Sequence, residues 1–375
     1  MLRNLVKSGL ALGLSKCGTL GLLGRRRRSR DAPLIVGYHR VVRDFERSAR
    51  TSIPSMLISA QMLEKQLDWL GGHYRLVSLE EMGKCLEAGS PTAGTAAVTF
   101  DDGYGDVYEN AFPILMRKGI PATVFVVSGT IGTSSSLDHD RLYALLGRAL
   151  SGVTAPADVL AGLYRDCSLR MPEPRTLVRA GRTTFSALRL FLDTFPRPVI
   201  QDVIARLEAR FGTEGIRGGL ALTWEMIDEM RAAGVMIGSH TESHPLLTHE
   251  SQERRRDEIF GSRRTLEAHL KTDVHHIAYP DGRFDHRTLI AATGAGYRFG
   301  YTTCAHRDPL FPLLTLPRRV LWERACVDAR GAFSGAVMDC LVSGVFDVLS
   351  PCRQTHSTPI GGGRHLGAAR SGTTP

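Results

Sequence analysis

The chain has 375 residues, 43% hydrophobic and 23% charged, which excludes a chain without a packed core. It carries no uncharged apolar run of about 18 residues, which argues against a multi-span helical membrane protein. Its seven Cys are widely spaced and form no Cys-x-x-Cys pair, so a disulfide scaffold does not fit and a reducing compartment does.

The net charge of +9 gathers at the ends, in Arg25–Arg28 and Arg30 and in Arg353, Arg364 and Arg370. Such runs meet phosphates or anionic lipid, or are simply solvated. No zinc-finger, RRM or homeodomain pattern points to nucleic acid. Residues 1–31 are apolar but interrupted by Lys7 and Lys16, and no small-residue cleavage site follows. Two readings stay open there: an amphipathic helix lying on an anionic membrane surface, or a Leu-rich terminal helix packed on the domain. The expected location is the cytoplasm, with the chain held peripherally at the inner membrane face; export is the alternative.

From Leu34 short apolar runs alternate with amphipathic stretches. LIVGY (34–38) reads as a buried strand. Ser59–Leu70 reads as a helix stopped by Gly71-Gly72. Ser78 and Glu81 form a capping box for a helix that Gly89 ends. Ala96–Phe100 is a strand, Val107–Lys118 a helix and Thr123–Val127 a strand. Strand 235–238 follows helix Trp224–Ala233, and a long helix lies within Ser251–Leu270. Strand 276–279, helix Arg287–Ala295 and strands 300–303 and 315–320 complete the series. Near-continuous apolar strands between helices mean a parallel sheet buried on both faces. Seven of them favour a barrel.

Residues 133–219 break this rhythm with helical patterns only, and read as an insertion into a βα loop. His139 and the carboxylates near it are expected on a solvated face. The domain thus runs from 32 to 325, with a helical segment at 326–350 and a disordered tail at 351–375.

Two segments carry chemistry. In TFDDGYGD (99–106) an apolar strand ends in two carboxylates and two glycines. Neighbouring side chains on a strand point to opposite faces, so Asp101 and Asp102 share a site only if the strand stops there. Gly103 and Gly105 permit that break. In GSHTESHP (238–245) another strand ends beside His240 and His244, which form a chelating pair if the segment turns like a helix. One carboxylate and two imidazoles make a half-open metal site, and the second carboxylate supplies a base. That set suits hydrolysis of an amide or ester. The residues alone do not say which Asp does which.

These motifs resemble the polysaccharide deacetylases, the NodB-homology or carbohydrate esterase family 4. The resemblance rests on TFDDG and on the His-Thr-x-x-His-Pro segment. It extends through GYHRV (37–41), VTFDDGYGDVYENAFPIL (98–115), IPATVFVV (120–127) and LTWEMIDEMRAAGVMIGSHTESHPLL (222–247), and looks like the bacterial exopolysaccharide and capsule branch. It covers roughly Leu34 to Val320 apart from the insertion. The resemblance implies an α/β fold, a distorted (β/α)7 barrel, with Asp101 as general base and Asp102, His240 and His244 holding a divalent metal, expected to be Zn²⁺. It implies loss of N-acetyl groups from an N-acetylhexosamine-containing polysaccharide or lipid-linked glycan by attack of metal-bound water. A backbone N–H near Gly103–Tyr104 would meet the oxyanion.

Two departures stand out. In AYPDGRFD (278–285), Ala278 occupies the position where the family often has Arg, while Tyr279, Pro280 and Gly282 fit a branch of it. Tyr104, Tyr279, Pro280 and Gly282 are the expected substrate contacts. The family's late Leu-x-His, which supplies the general acid, is missing from TLPRRVLW (315–322). His39, after the first strand, is the candidate proton donor; a strand-closing role is its alternative. Rival readings are a non-catalytic sugar-binding or scaffold subunit of a polysaccharide assembly system, and a metal-dependent amidase acting on a small substrate.

Overall fold

The computed structural model describes residues 33–214 and 220–349, together with Cys352 and His356. The N-terminal segment 1–31, with its expected membrane-surface helix, lies outside the described residues, as does most of the tail.

The strands are β1 (Leu34–Tyr38), β2 (Arg40–Val42), β3 (Leu57–Ser59), β4 (Arg75–Leu76), β5 (Thr95–Phe100), β6 (Ala122–Val126), β7 (Met236–Ser239), β8 (His276–Ala278), β9 (Phe299–Thr302), β10 (Leu316–Pro317) and β11 (Arg319–Val320). The main helices are α1 (Ala60–His73), α2 (Leu79–Glu87), α3 (Phe112–Lys118), α4 (Asp138–Leu150), α5 (Pro156–Asp166), α6 (Pro174–Ala180), α7 (Thr184–Leu192), α8 (Arg197–Phe211), α9 (Trp224–Ala232), α10 (Gln252–Leu270), α11 (His286–Ala295) and α12 (Gly335–Val342).

All strand pairs of the main sheet are parallel, in the order β10-β9-β8-β7-β6-β5-β1-β11. β10 and β11 are separated by Arg318 alone. β10 pairs with β9 through Leu316 and Tyr301, and β11 pairs with β1 through Val36 and Arg319. The expected strand 315–320 is therefore one bent strand that joins both edges and closes the sheet. Closure removes the unpaired edges that an open sheet would expose.

Period-2 alternation divides the strand residues between two layers. Ile35, Ala97, Phe125, Ala278, Tyr301 and Leu316 cluster together in the barrel interior. Val36, Val98, Val124 and Ile277 pack in the other direction with helix residues such as Leu63, Leu115, Ile227 and Leu266.

Several helix ends follow the sequence signals. Ser78 accepts from the Glu81 N–H at 3.1 Å, and Ser251 caps α10 by accepting from Arg254. Two differ. α1 runs through Gly71-Gly72 to His73, whose ring stacks on Trp69 at 4.1 Å and whose Nδ1 lies 2.7 Å from the Trp69 carbonyl. Those contacts offset the glycines' weak helix propensity. The expected helix 107–118 opens with a π turn over Val107–Ala111, in which the Phe112 N–H reaches the Val107 carbonyl. Pro113 has no N–H to give, so the regular ladder cannot start there.

Helices α4–α8 form the insertion, built around Leu142, Leu145, Leu160, Phe191, Val203 and Ile204. Ile53, from the loop after β2, joins this cluster and ties it to the barrel.

Candidate active site

β5 ends at Phe100, and the chain turns sharply. Asp102 and Gly103 both have φ of 71°. Left-handed backbone costs little for Gly103, where a Cβ would sit 3.1 Å from Val126 atoms, but is strained for Asp102. Asp101 keeps the inward parity of Ala97 and Thr99, and its N–H donates to the Tyr38 carbonyl at 2.8 Å. The turn brings Asp102 to the same end of the barrel.

The two carboxylates have different partners. Arg318, fully buried between β10 and β11, donates from both terminal nitrogens to the two Asp101 oxygens at 2.6 Å each. Its guanidinium also reaches Thr99 Oγ1 at 3.1 Å and lies 5.3 Å from the Phe125 ring centroid. Burial works to raise the Asp101 carboxyl, but the Arg318 guanidinium, through its charge and its hydrogen bonds, brings it below the usual carboxylate range. His39 Nε2 stands 4.0 Å from Asp101 Oδ2.

Asp102 faces imidazoles instead. His240 Nε2 and His244 Nε2 lie 3.3 and 3.2 Å from its Oδ1. Burial raises this carboxyl too, yet the facing His244 and His240 hold it well below the usual range. Both Asp102 oxygens are buried and have no hydrogen-bond partner among the described residues. His240 Nδ1 sits 2.7 Å from the Ala278 carbonyl, which makes it the donor and leaves Nε2 with a free lone pair. Two Nε2 atoms converging on a carboxylate without hydrogen-bond donors are suited to a divalent cation, and these residues fit the metal that the family implies.

The histidine pair does not lie on a helical turn, as the spacing suggested. Thr241 and His244 take left-handed φ of 70° and 60°, and this irregular turn aims both rings inward. Thr241 Oγ1 accepts from the His244 N–H at 3.0 Å. Glu258 on α10 accepts from the Glu242 and Ser243 N–H groups at 3.0 and 2.8 Å and anchors the loop from below.

A cavity of about 430 Å³ opens over these groups. Its polar lining includes His39, Asp102, His139, His244 and Asp281. Its apolar wall includes Ile53, Met56, Leu188, Phe195, Leu246 and Trp322. Asp281, with φ of 56°, pairs with Arg189 of α7 and with Arg283 at 2.8 Å each, so the insertion is bonded to the cavity rim.

Several expectations need correction. Tyr104 is 2% exposed and does not face the cavity; its hydroxyl donates to Asp140 Oδ2 at 2.7 Å and lies 3.0 Å from His139 Nε2. Tyr279, Pro280 and Gly282 are also buried, and Asp281 is the residue of that segment that lines the cavity. Gly105, next to the expected oxyanion donors at Gly103–Tyr104, gives its own N–H to the Leu220 carbonyl at 2.6 Å and so pins the turn. His139 and Asp140 are not solvated: each is 7% exposed, and the His139 ring centroid lies 4.9 Å from that of His244. The first turn of α4 enters the barrel mouth, and Tyr104 satisfies the polar atoms buried there.

Arg318 and Glu258 were not singled out from the sequence. For Arg318 a signal exists in the closing strand: two adjacent Arg must face opposite ways, and one of them must enter the interior.

The polysaccharide deacetylase family model matches residues 88–168 and 184–300, more than half of the chain. The chain belongs to the polysaccharide deacetylase family. The Bacillus subtilis protein YxkH, which carries a polysaccharide deacetylase name, is 22% identical over 259 residues, covering 68% of this chain and 62% of its own. A poly-β-1,6-N-acetyl-D-glucosamine N-deacetylase of Staphylococcus epidermidis is 31% identical over 114 residues, covering 28% of this chain and 39% of its own. The match thus spans less than two thirds of either relative. Among solved structures, IcaB from Ammonifex degensii aligns with a TM-score of 0.50 and 19% identity, over 84% of this deacetylase-family chain and 97% of its own. The Streptococcus pyogenes deacetylase PplD gives 0.50 and 20%, over 79% and 95%. These likenesses support the distorted parallel barrel.

Proposed function

We propose that this deacetylase-family protein is a metal-dependent hydrolase that removes N-acetyl groups from an N-acetylhexosamine-containing polysaccharide or lipid-linked glycan. The observation that carries this reading is the division of labour between the adjacent carboxylates. Asp102 lies with His240 and His244, while Asp101 is bound by Arg318 and left free of the cation-holding set.

A divalent ion held by Asp102, His240 and His244 would polarise the amide carbonyl and acidify water beside it. Asp101 accepts the proton of the attacking water. Its oxygens retain lone pairs beyond those given to Arg318, and the guanidinium keeps it ionised and oriented. Water's oxygen bonds to the carbonyl carbon, the C–N bond breaks, and the products are acetate and a free amine. His39 lines the cavity with its Nε2 4.0 Å from Asp101 Oδ2, which supports it as the proposed donor to the leaving nitrogen.

Poly-β-1,6-N-acetylglucosamine is the first substrate to test, because a relative bears that name. Acetate release from polysaccharide and lipid-linked glycan, with and without chelator, tests the proposal. Chelator-sensitive release that disappears in Asp101→Asn is expected. A chain that binds acetylated glycan with full metal occupancy and releases no acetate would be the scaffold subunit instead.

A further inference from the structure

A second cluster of metal-ligating atoms lies outside this site and shares no residue with it. Cys304 follows β9, while Cys352 and His356 come from the C-terminal part of the chain. Their Sγ, Sγ and Nε2 atoms all lie within 4.8 Å of one another. Nε2 of His356 stands 3.3 Å from Cys304 Sγ and 3.2 Å from Cys352 Sγ. A tetrahedral ion with bonds of about 2.3 Å to sulfur and about 2.0 Å to nitrogen sets those ligand atoms roughly 3.5 Å apart. The observed separations need only a few tenths of an ångström of adjustment.

The imidazole is oriented for this. His356 is 7% exposed, with its ring 4.3 Å from Phe284 on one side and 4.5 Å from His306 on another, nearly parallel to both. Its Nδ1 lies 3.4 Å from the Phe284 carbonyl, a long contact that still turns Nε2 toward the two sulfurs. Such a backing carbonyl is the usual outer support of a ligating histidine.

We infer that Cys304, Cys352 and His356 form a second divalent-metal site for a thiophilic ion of the Zn²⁺ class. Two thiolates and one imidazole select Zn²⁺ over Mg²⁺ or Ca²⁺, and water can complete the tetrahedron. Its role is structural. The ion joins the segment after β9 to the C-terminal residues, against Phe284. Phe284 belongs to the segment that carries Asp281, so the site braces one wall of the cavity.

Cobalt substitution in the full chain tests this, because only a cysteine ligand gives sulfur-to-Co²⁺ charge-transfer absorption in the near ultraviolet. Asp102, His240 and His244 contain no sulfur, so the readout is independent of the proposed hydrolysis. The reduced, metal-stripped protein loaded with Co²⁺ should show the absorption, and the His240→Ala, His244→Ala double variant should retain it. Cys304→Ser and Cys352→Ser should each abolish or strongly diminish it and lower Zn²⁺ content by about one equivalent. Should Cys304→Ser fold poorly, Cys352→Ser carries the same test. Absence of the band in the wild-type protein, an undiminished band in Cys352→Ser, or a Cys304–Cys352 disulfide that persists in reductant would overturn the site.

Discussion

Asp101 and Asp102 have identical side chains, adjacent positions and opposite surroundings. A guanidinium grips the first, while two imidazoles face the second. The proposed roles follow from that difference. Asp101→Asn keeps the cation-holding set and removes the proton acceptor, so metal content should persist while turnover falls by about 10²–10⁴-fold. Metal analysis and acetate release on one preparation check this; loss of metal in Asp101→Asn and its retention in Asp102→Asn would exchange the roles. Arg318 is a positioning residue. Arg318→Met leaves Asp101 buried without its cation, and breaking such a pair costs about 3–5 kcal/mol. Urea unfolding should show that loss. Adding Asp101→Asn to Arg318→Met should restore part of the stability without restoring turnover, an outcome that general misfolding would not produce.

At the scale of elements, the barrel holds its loops through buried polar groups as well as apolar contacts. α10 fixes the histidine loop through Glu258, and α4 meets the turn after β5 through Tyr104. In β8, His276 places Nδ1 2.7 Å from the Tyr301 hydroxyl. Burial, the largest influence, pushes its imidazole down to about 4, against an upward pull from Glu80. In an unfolded chain the group titrates near about 6.5. The folded state therefore disfavours the proton. The stabilisation is complete above about pH 6.5 and is lost as pH falls toward about 4, a change of about 3 kcal/mol from this one residue. Unfolding free energies measured across that window should fall less steeply in His276→Gln than in the parent protein. Parallel slopes would show that His276 is not held neutral.

At the scale of the molecule, one short bent strand closes the barrel and one helical insertion roofs it. The insertion buries its own cluster and meets the barrel at Ile53, at Tyr104 and at the Arg189–Asp281 pair. Its contribution to the proposed site is the cavity wall, since the cation-holding residues all lie on barrel loops. Replacing residues 138–211 by a short linker should leave one metal equivalent at Asp102, His240 and His244. It should also lower kcat/KM at least about tenfold, equivalent to about 1.4 kcal/mol of lost binding to the transition state. Metal analysis and steady-state kinetics read the two effects separately. Loss of that equivalent would make the insertion part of the metal centre.

The seven barrel strands, the insertion and the Asp and His motifs were legible because each leaves a local trace. Alternating apolar runs, glycine at a strand end and imidazoles four apart are properties of a few consecutive residues. Glu258 and the Cys304–Cys352–His356 cluster leave no such trace, and the Arg318-Arg319 pair shows only that one guanidinium turns inward, not which carboxylate it meets. Arg318 meets Asp101 across 217 positions, and Cys304 meets His356 across 52. The same holds for the buried places of Tyr104 and His139, which look polar and surface-bound until α4 enters the barrel mouth. Local hydrophobic pattern and backbone geometry set which segments become strands and where they stop. The tertiary structure alone decided which charge meets which, because closure of the sheet between β9 and β1 carries a guanidinium across the chain's length into the barrel interior, where the low dielectric demands a partner.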